Sequence, residues 1–175
     1  GGVNNTLSGV RNDKAVSGEI LCLGSGWGAL EEIARKAQNL PSLSSEIKIP
    51  NNSLTEAQQE WIDLLETGRL AERTVTAEPK GYVIDEFWHN LLKKSLETPE
   101  NRNWYSLMHL GVMEYASGNT DTALSLFLES VEKKANAWCY RNIAMIYRNE
   151  YHDIEKAYTY MEKAFELNKT CRGIL

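Results

Sequence analysis

Few residue groupings in this 175-residue chain could do chemistry, and two stand out. Gly24-Ser25-Gly26-Trp27-Gly28 follows a short apolar run, Ile20 to Leu23, and precedes a segment of helical spacing. A glycine-rich turn leading into a helix can cradle a nucleotide phosphate, because free backbone N–H groups and the helix dipole favour an anion. Against that chemistry, Trp27 crowds a turn meant for close backbone approach. No alternation of strands and helices follows to build a parallel sheet. The turn is therefore expected to be structural, with Trp27 packed into the core, and nucleotide binding is the alternative. The second grouping is Asp85-Glu86-Phe87-Trp88-His89, where Glu86 and His89 lie three apart on a helix. That spacing is half of a carboxylate-bridged metal pair, which needs a second Glu-x-x-His and two more carboxylates. The chain offers neither, so we expect surface residues and a helix cap here and no metal. Cys22, Cys139 and Cys171 are too scattered for a disulfide framework or a zinc site, and read as reduced thiols packed as small hydrophobes. With no nucleophile elbow either, the chain on its own is expected to be neither an enzyme nor a cofactor binder.

A balance of 19 Lys+Arg against 24 Asp+Glu gives a net charge of −5, which supplies no basic face for nucleic acid. No apolar stretch approaches the ~20 residues of a membrane span. A cytoplasmic location is expected, and the opening Gly1-Gly2 without a methionine suggests a fragment of a larger protein. Residues 1–17 read as a disordered or extended lead, and 18–98 as an irregular helical region. Within it a helix spans 29–38, with Leu30, Ile33, Ala34 and Ala37 at helical spacing. Pro41 and Pro50 bracket a loop, and Ser53-Leu54-Thr55-Glu56 has the pattern of a capping box. The helix behind it, 54–67, carries Trp61, Leu64 and Leu65 and ends at Gly68, a residue suited to a left-handed cap. An irregular connector, 69–83, leads to a helix over 84–96 whose inner face is Phe87, Trp88, Leu91, Leu92 and Ser95.

From residue 99 onward the pattern repeats. Asn103 to Gly111 pairs with Asn136 to Ala144 at an offset of 33, and Ala123, Phe127 and Ser130 pair with Ala157, Met161 and Ala164 at 34. The slip falls in the turn, where Gly118-Asn119 is replaced by Glu150-Tyr151-His152-Asp153. Each unit is thus two antiparallel helices: 103–117 with 120–134, then 137–149 with 154–168. Gly111 and Ala144 are expected to face Ala123 and Ala157 where the helices approach most closely. Aromatics such as Trp61, Trp88, Trp104 and Trp138 read first as core.

On Leu110-Gly111, Gly118, Ala123, Phe127 and Ser130, and on Ile143-Ala144, Tyr147, Ala157 and Ala164, the two units (103–134 and 137–168) resemble the tetratricopeptide repeat family. Glu114 departs from it at a position usually aromatic, and Ala135 and Lys169 replace the usual terminal proline. The resemblance implies an all-α fold of helical hairpin repeats, a short right-handed solenoid. It also implies a concave face lined by the first helix of each unit: Tyr105, Met108, Val112 and Tyr115, then Trp138, Arg141, Met145 and Arg148, with Asn142 beside them. Such a strip of aromatics, methionines and arginines suits a protein or peptide ligand. Equally, helices 54–67 and 84–96 could fill it. Those helices are expected to cap the first end of the stack, leaving the last repeat's face for further repeats or for a homo-oligomer.

Two further resemblances bear on function. The Gly24–Gly28 turn is similar to the first motif of S-adenosylmethionine-dependent methyltransferases, although Cys22 stands where an acidic residue is usual. Trp27 to Glu31, Trp61 to Gly68 and Trp104 to Met113 together resemble large bacterial proteins in which a sugar-mutarotase-like sandwich precedes tetratricopeptide repeats. That likeness implies an accessory region of a carbohydrate-active protein.

Overall fold

Local helix signals, realised one after another, build an all-α architecture. The computed structural model describes residues 26–43 and 53–167. The lead 1–17, the apolar run Ile20 to Leu23, Cys22, Cys171 and the end of the chain lie outside the described residues. Those that are described hold seven α-helices, one 3-10 turn and no strand. They fall into two compact units, one ending at Gln59 and the other starting at Glu60.

In the first unit, α1 (Trp27–Ala37) starts from Gly26, whose φ of 69° is the left-handed value glycine tolerates without a Cβ penalty. Leu30 and Ala34 are buried, but Trp27 is 36% exposed, contrary to the core position expected for it. Helical side chains lean toward the N-terminus, so the ring of the first helical residue projects past the packed turns. The cap of α2 (Glu56–Thr67) is also displaced from the expected one. Thr55 takes that place: its Oγ1 accepts from Ala57 N at 3.3 Å, and Gln58 Oε1 accepts from Thr55 N at 3.0 Å and from Thr55 Oγ1 at 2.7 Å. Both Ser53–Glu56 and Thr55–Gln58 fit the pattern. Gln58 wins because its amide is also the group packed against the Gly26 turn.

In the second unit, Gly68 ends α2 at φ 74°, donating to Leu64 O. The connector after it has no periodicity, yet it is pinned. Asn103 Nδ2 donates to Leu70 O, Trp104 Nε1 to Arg73 O and Ser95 Oγ to Gly68 O. Leu70 and Val83 are buried. Helix α3 (Glu86–Ser95) is capped by Asp85 and buries Trp88, Leu92 and Ser95. Phe87 and Leu91 are only half-buried, and Ile84 lies before the helix, exposed.

After the 3-10 turn Pro99–Asn101 the four repeat helices follow: α4 (Trp104–Ala116), α5 (Thr120–Lys133), α6 (Ala137–Asn149) and α7 (Ile154–Leu167). Each packs on the next. Asn103, Asn136 and Asp153 cap α4, α6 and α7 by accepting from the backbone N–H of Ser106, Cys139 and Lys156. Gly118 makes the first turn at φ 83°, while His152 takes the left-handed role, at φ 55°, in the longer second turn. Gly111 lies against the Phe127 ring. A Cβ built on it would stand 2.5 Å from the Phe127 ring. Ser130, wholly buried, ties the helices together by donating to Trp104 O at 2.7 Å and accepting from Asn136 Nδ2 and Cys139 Sγ.

Candidate partner-binding groove

The nine residues expected to line a concave strip part company in the structure. Tyr105 and Met108 are fully buried, and Trp138 is 8% exposed. These three are corrected from groove to core. For Tyr105 the cause is the segment that precedes α4. The Tyr105 hydroxyl donates to both carboxylate oxygens of Glu60 on α2, at 3.1 and 2.9 Å. Arg73 Nη2 bonds Glu60 Oε2 at 3.0 Å and its guanidinium lies 5.5 Å from the Tyr105 ring centroid. Beneath them His109 is enclosed by Tyr105, Trp61 and Tyr82, with ring centroids at 4.5, 5.2 and 5.4 Å.

Electrostatics follow from that enclosure. Burial, helped by the Arg73 charge, holds the His109 imidazole down at about 3, so it is a neutral aromatic spacer. Its Nε2 has no hydrogen-bond partner among the described residues. Burial raises the Glu60 carboxyl despite the opposing pull of Arg73 and the Tyr105 hydroxyl. The Tyr105 phenol is pushed far up by burial and by the Glu60 charge. None of these groups is presented to solvent as an acid, base or nucleophile.

What stays open is the second half of the strip. Val112, Tyr115, Arg141, Asn142 and Met145 line a cavity of about 180 Å³, together with Tyr82 of the connector. Arg141 and Met145 also form one wall of a wider cavity, about 470 Å³, where Arg148 joins Ile154, Tyr158 and Met161 of α7. Tyr115 is steered by its hydroxyl, which donates to Glu150 Oε1 at 2.8 Å. Neither Arg141 nor Arg148 has a carboxylate partner among the described residues. Arg141 is half-buried between apolar walls, and Arg148 is exposed.

Sequence reasoning missed one buried polar cluster. Glu114, 2% exposed, accepts from Asn119 Nδ2 at 2.6 Å and bonds His89 Nε2 at 3.0 Å, with Lys93 Nζ at 3.4 Å. Burial alone would raise its carboxyl, but Asn119, His89 and Lys93 outweigh it and hold the group below the ordinary carboxylate value. Its signal is Glu114 itself, a lone acid in the otherwise uncharged run of α4 from Trp104 to Met113. His89, expected on the surface, is therefore engaged in structure.

The other candidate sites gain no support. Gly24 and Ser25 lie outside the described residues. Gly26 is buried, and the space beside its Cα is filled by Gln58 and the Ser53 carbonyl. No group of three metal-ligating side chains occurs among the described residues. Cys139 is a free, buried thiol that desolvation pushes up to about 12. No helix among the described residues is long and apolar enough to cross a membrane. Comparison with protein-family models, curated proteins and solved structures gave no match.

Proposed function

We propose that this chain is a non-catalytic protein-binding module built on two tetratricopeptide-like hairpins. Its ligand is a peptide segment carrying acidic and apolar side chains. The observation that carries this reading is Arg141, a guanidinium half-buried among Tyr82, Val112, Tyr115 and Met145 and without a carboxylate partner among the described residues. A cation in such surroundings gains most from an incoming carboxylate, which it can meet bidentately. Methionine and tyrosine around it supply adaptable apolar contact.

The reading also takes support from repetition. Asn103 and Asn136 cap α4 and α6 in the same way, and small buried residues recur at Ala123, Ala157 and Ala164. Fluorescence-polarisation titrations with acidic, neutral and basic peptides of matched apolar content test the proposal. Acidic peptides should bind best and weaken with salt. Arg141→Glu should cost at least about tenfold, the scale of a lost charge-assisted hydrogen bond. Equal binding of all three classes, or no effect of that substitution, would remove the groove.

A further inference from the structure

The outer face formed by α6 and α7 has a chemical order that reads from one side to the other. Arg141, Met145 and Arg148 recur at four- and three-residue steps and share one stripe of α6. On α7, Ala157 and Ala164 are buried. Beyond them Ile154, Tyr158, Met161 and Phe165 fall within about 60° of one another at 100° per residue. Ile154 is 64% exposed, Tyr158 65% and Phe165 46%. Glu155, Glu162 and Glu166 follow on the next stripe, all exposed. The face thus runs basic, apolar, acidic, with the 470 Å³ cavity along its basic-to-apolar half.

From this order we infer that a second copy of the same chain covers the face, in a twofold dimer whose axis runs parallel to the helices. Such an axis lays the apolar strip on its own equivalent and each basic stripe on the partner's acidic one. An axis across the helices would set arginine against arginine. Register follows as well. The connection Glu150 to Asp153 is too short for anything but antiparallel neighbours, so a partner α7 parallel to α7 runs antiparallel to α6. Arg141 and Arg148 are seven residues apart, as are Glu155 and Glu162, about 10.5 Å along a helix in both cases. Antiparallel alignment therefore sets Arg141 opposite the second copy's Glu162 and Arg148 opposite its Glu155. Among the described residues neither arginine and neither glutamate is in an ion pair.

The second copy and an acidic peptide compete for Arg141, and the two readings fail separately because Glu155 belongs only to the dimer face. Sedimentation equilibrium of the whole chain, from about 1 to 200 µM, should show mass rising from 19.8 kDa toward twice that value. Arg148→Glu and Glu155→Arg should each weaken the dimer at least about tenfold, since symmetry turns two attractions into repulsions at once. The double swap Arg148→Glu with Glu155→Arg should restore it, while Glu155→Arg alone, by freeing Arg141 from the second copy's Glu162, should tighten the binding of acidic peptides. A chain that remains at 19.8 kDa throughout, or a dimer indifferent to both single substitutions, would overturn the inference.

Discussion

Gly111→Ala is the substitution that asks most of the helix crossing. The added methyl would lie 2.5, 2.8 and 3.0 Å from three carbons of the Phe127 ring. That ring is 1% exposed, so it has no solvent to swing into. Forcing an extra carbon into a closed core costs about 1–3 kcal/mol. Against this, alanine in a helix interior is better than glycine by about 0.8–1 kcal/mol. The contact should win, leaving a net loss of about 1 kcal/mol, or roughly 2–4 °C in Tm for a chain of this length. Gly118 is the control, because a Cβ there meets nothing within 4 Å and only its φ of 83° matters. Asparagine, which tolerates that conformation, should be accepted at 118 with little loss and rejected at 111. Shrinking the ring in a double-mutant cycle, Gly111→Ala with Phe127→Leu, should recover part of the loss through positive coupling. Thermal and urea unfolding read these variants, with the Phe127→Leu single that the cycle needs. A Tm for Gly111→Ala equal to or above that of the parent would refute the reasoning.

Three further outcomes follow from the buried polar groups. Ser130→Ala leaves Asn136 Nδ2 short of one acceptor and removes a donor to Trp104 O, so urea unfolding should show a loss of about 1–3 kcal/mol. The Glu114 carboxyl sits below its ordinary 4.5 in the folded chain, so its stabilisation is full above that value and fades as pH falls through the folded one. Urea midpoints measured from neutral to acid pH should therefore drop more steeply for the parent than for Glu114→Gln. Cys139, with its thiol pushed up to about 12 and buried, should be alkylated by iodoacetamide only at the rate of unfolding, as read by mass spectrometry of its peptide.

The four helices from Trp104 to Leu167 were legible because their signals are local. Caps at Asn103 and Asn136, the glycine turn at 118 and the recurring small residues each act within a few positions of themselves, and the helices fall within a residue or two of expectation. The groove was half legible for the opposite reason. Whether Tyr105, Met108 and Trp138 face a partner or the chain's own core depends on segments far away in sequence. The connector that supplies Leu70, Arg73 and Tyr82 has no periodicity to announce it. The ion pair of Glu60 with Arg73 bridges thirteen residues and the Tyr105 bond to Glu60 bridges forty-five, distances over which no pattern operates. Ser53 and Thr55 show a finer limit. Both satisfy the capping pattern, and only the packing of Gln58 against Gly26 decides between them.

On the function proposed above, the cavity at Arg141 receives an acidic segment of another protein. Methyl NMR of the whole chain, titrated with an acidic peptide, tests it at the residues themselves. Saturable shifts confined to Val112, Met145 and Ile146, absent in Arg141→Glu, are the predicted result. Shifts centred on other methyls, or none at millimolar peptide, would contradict it.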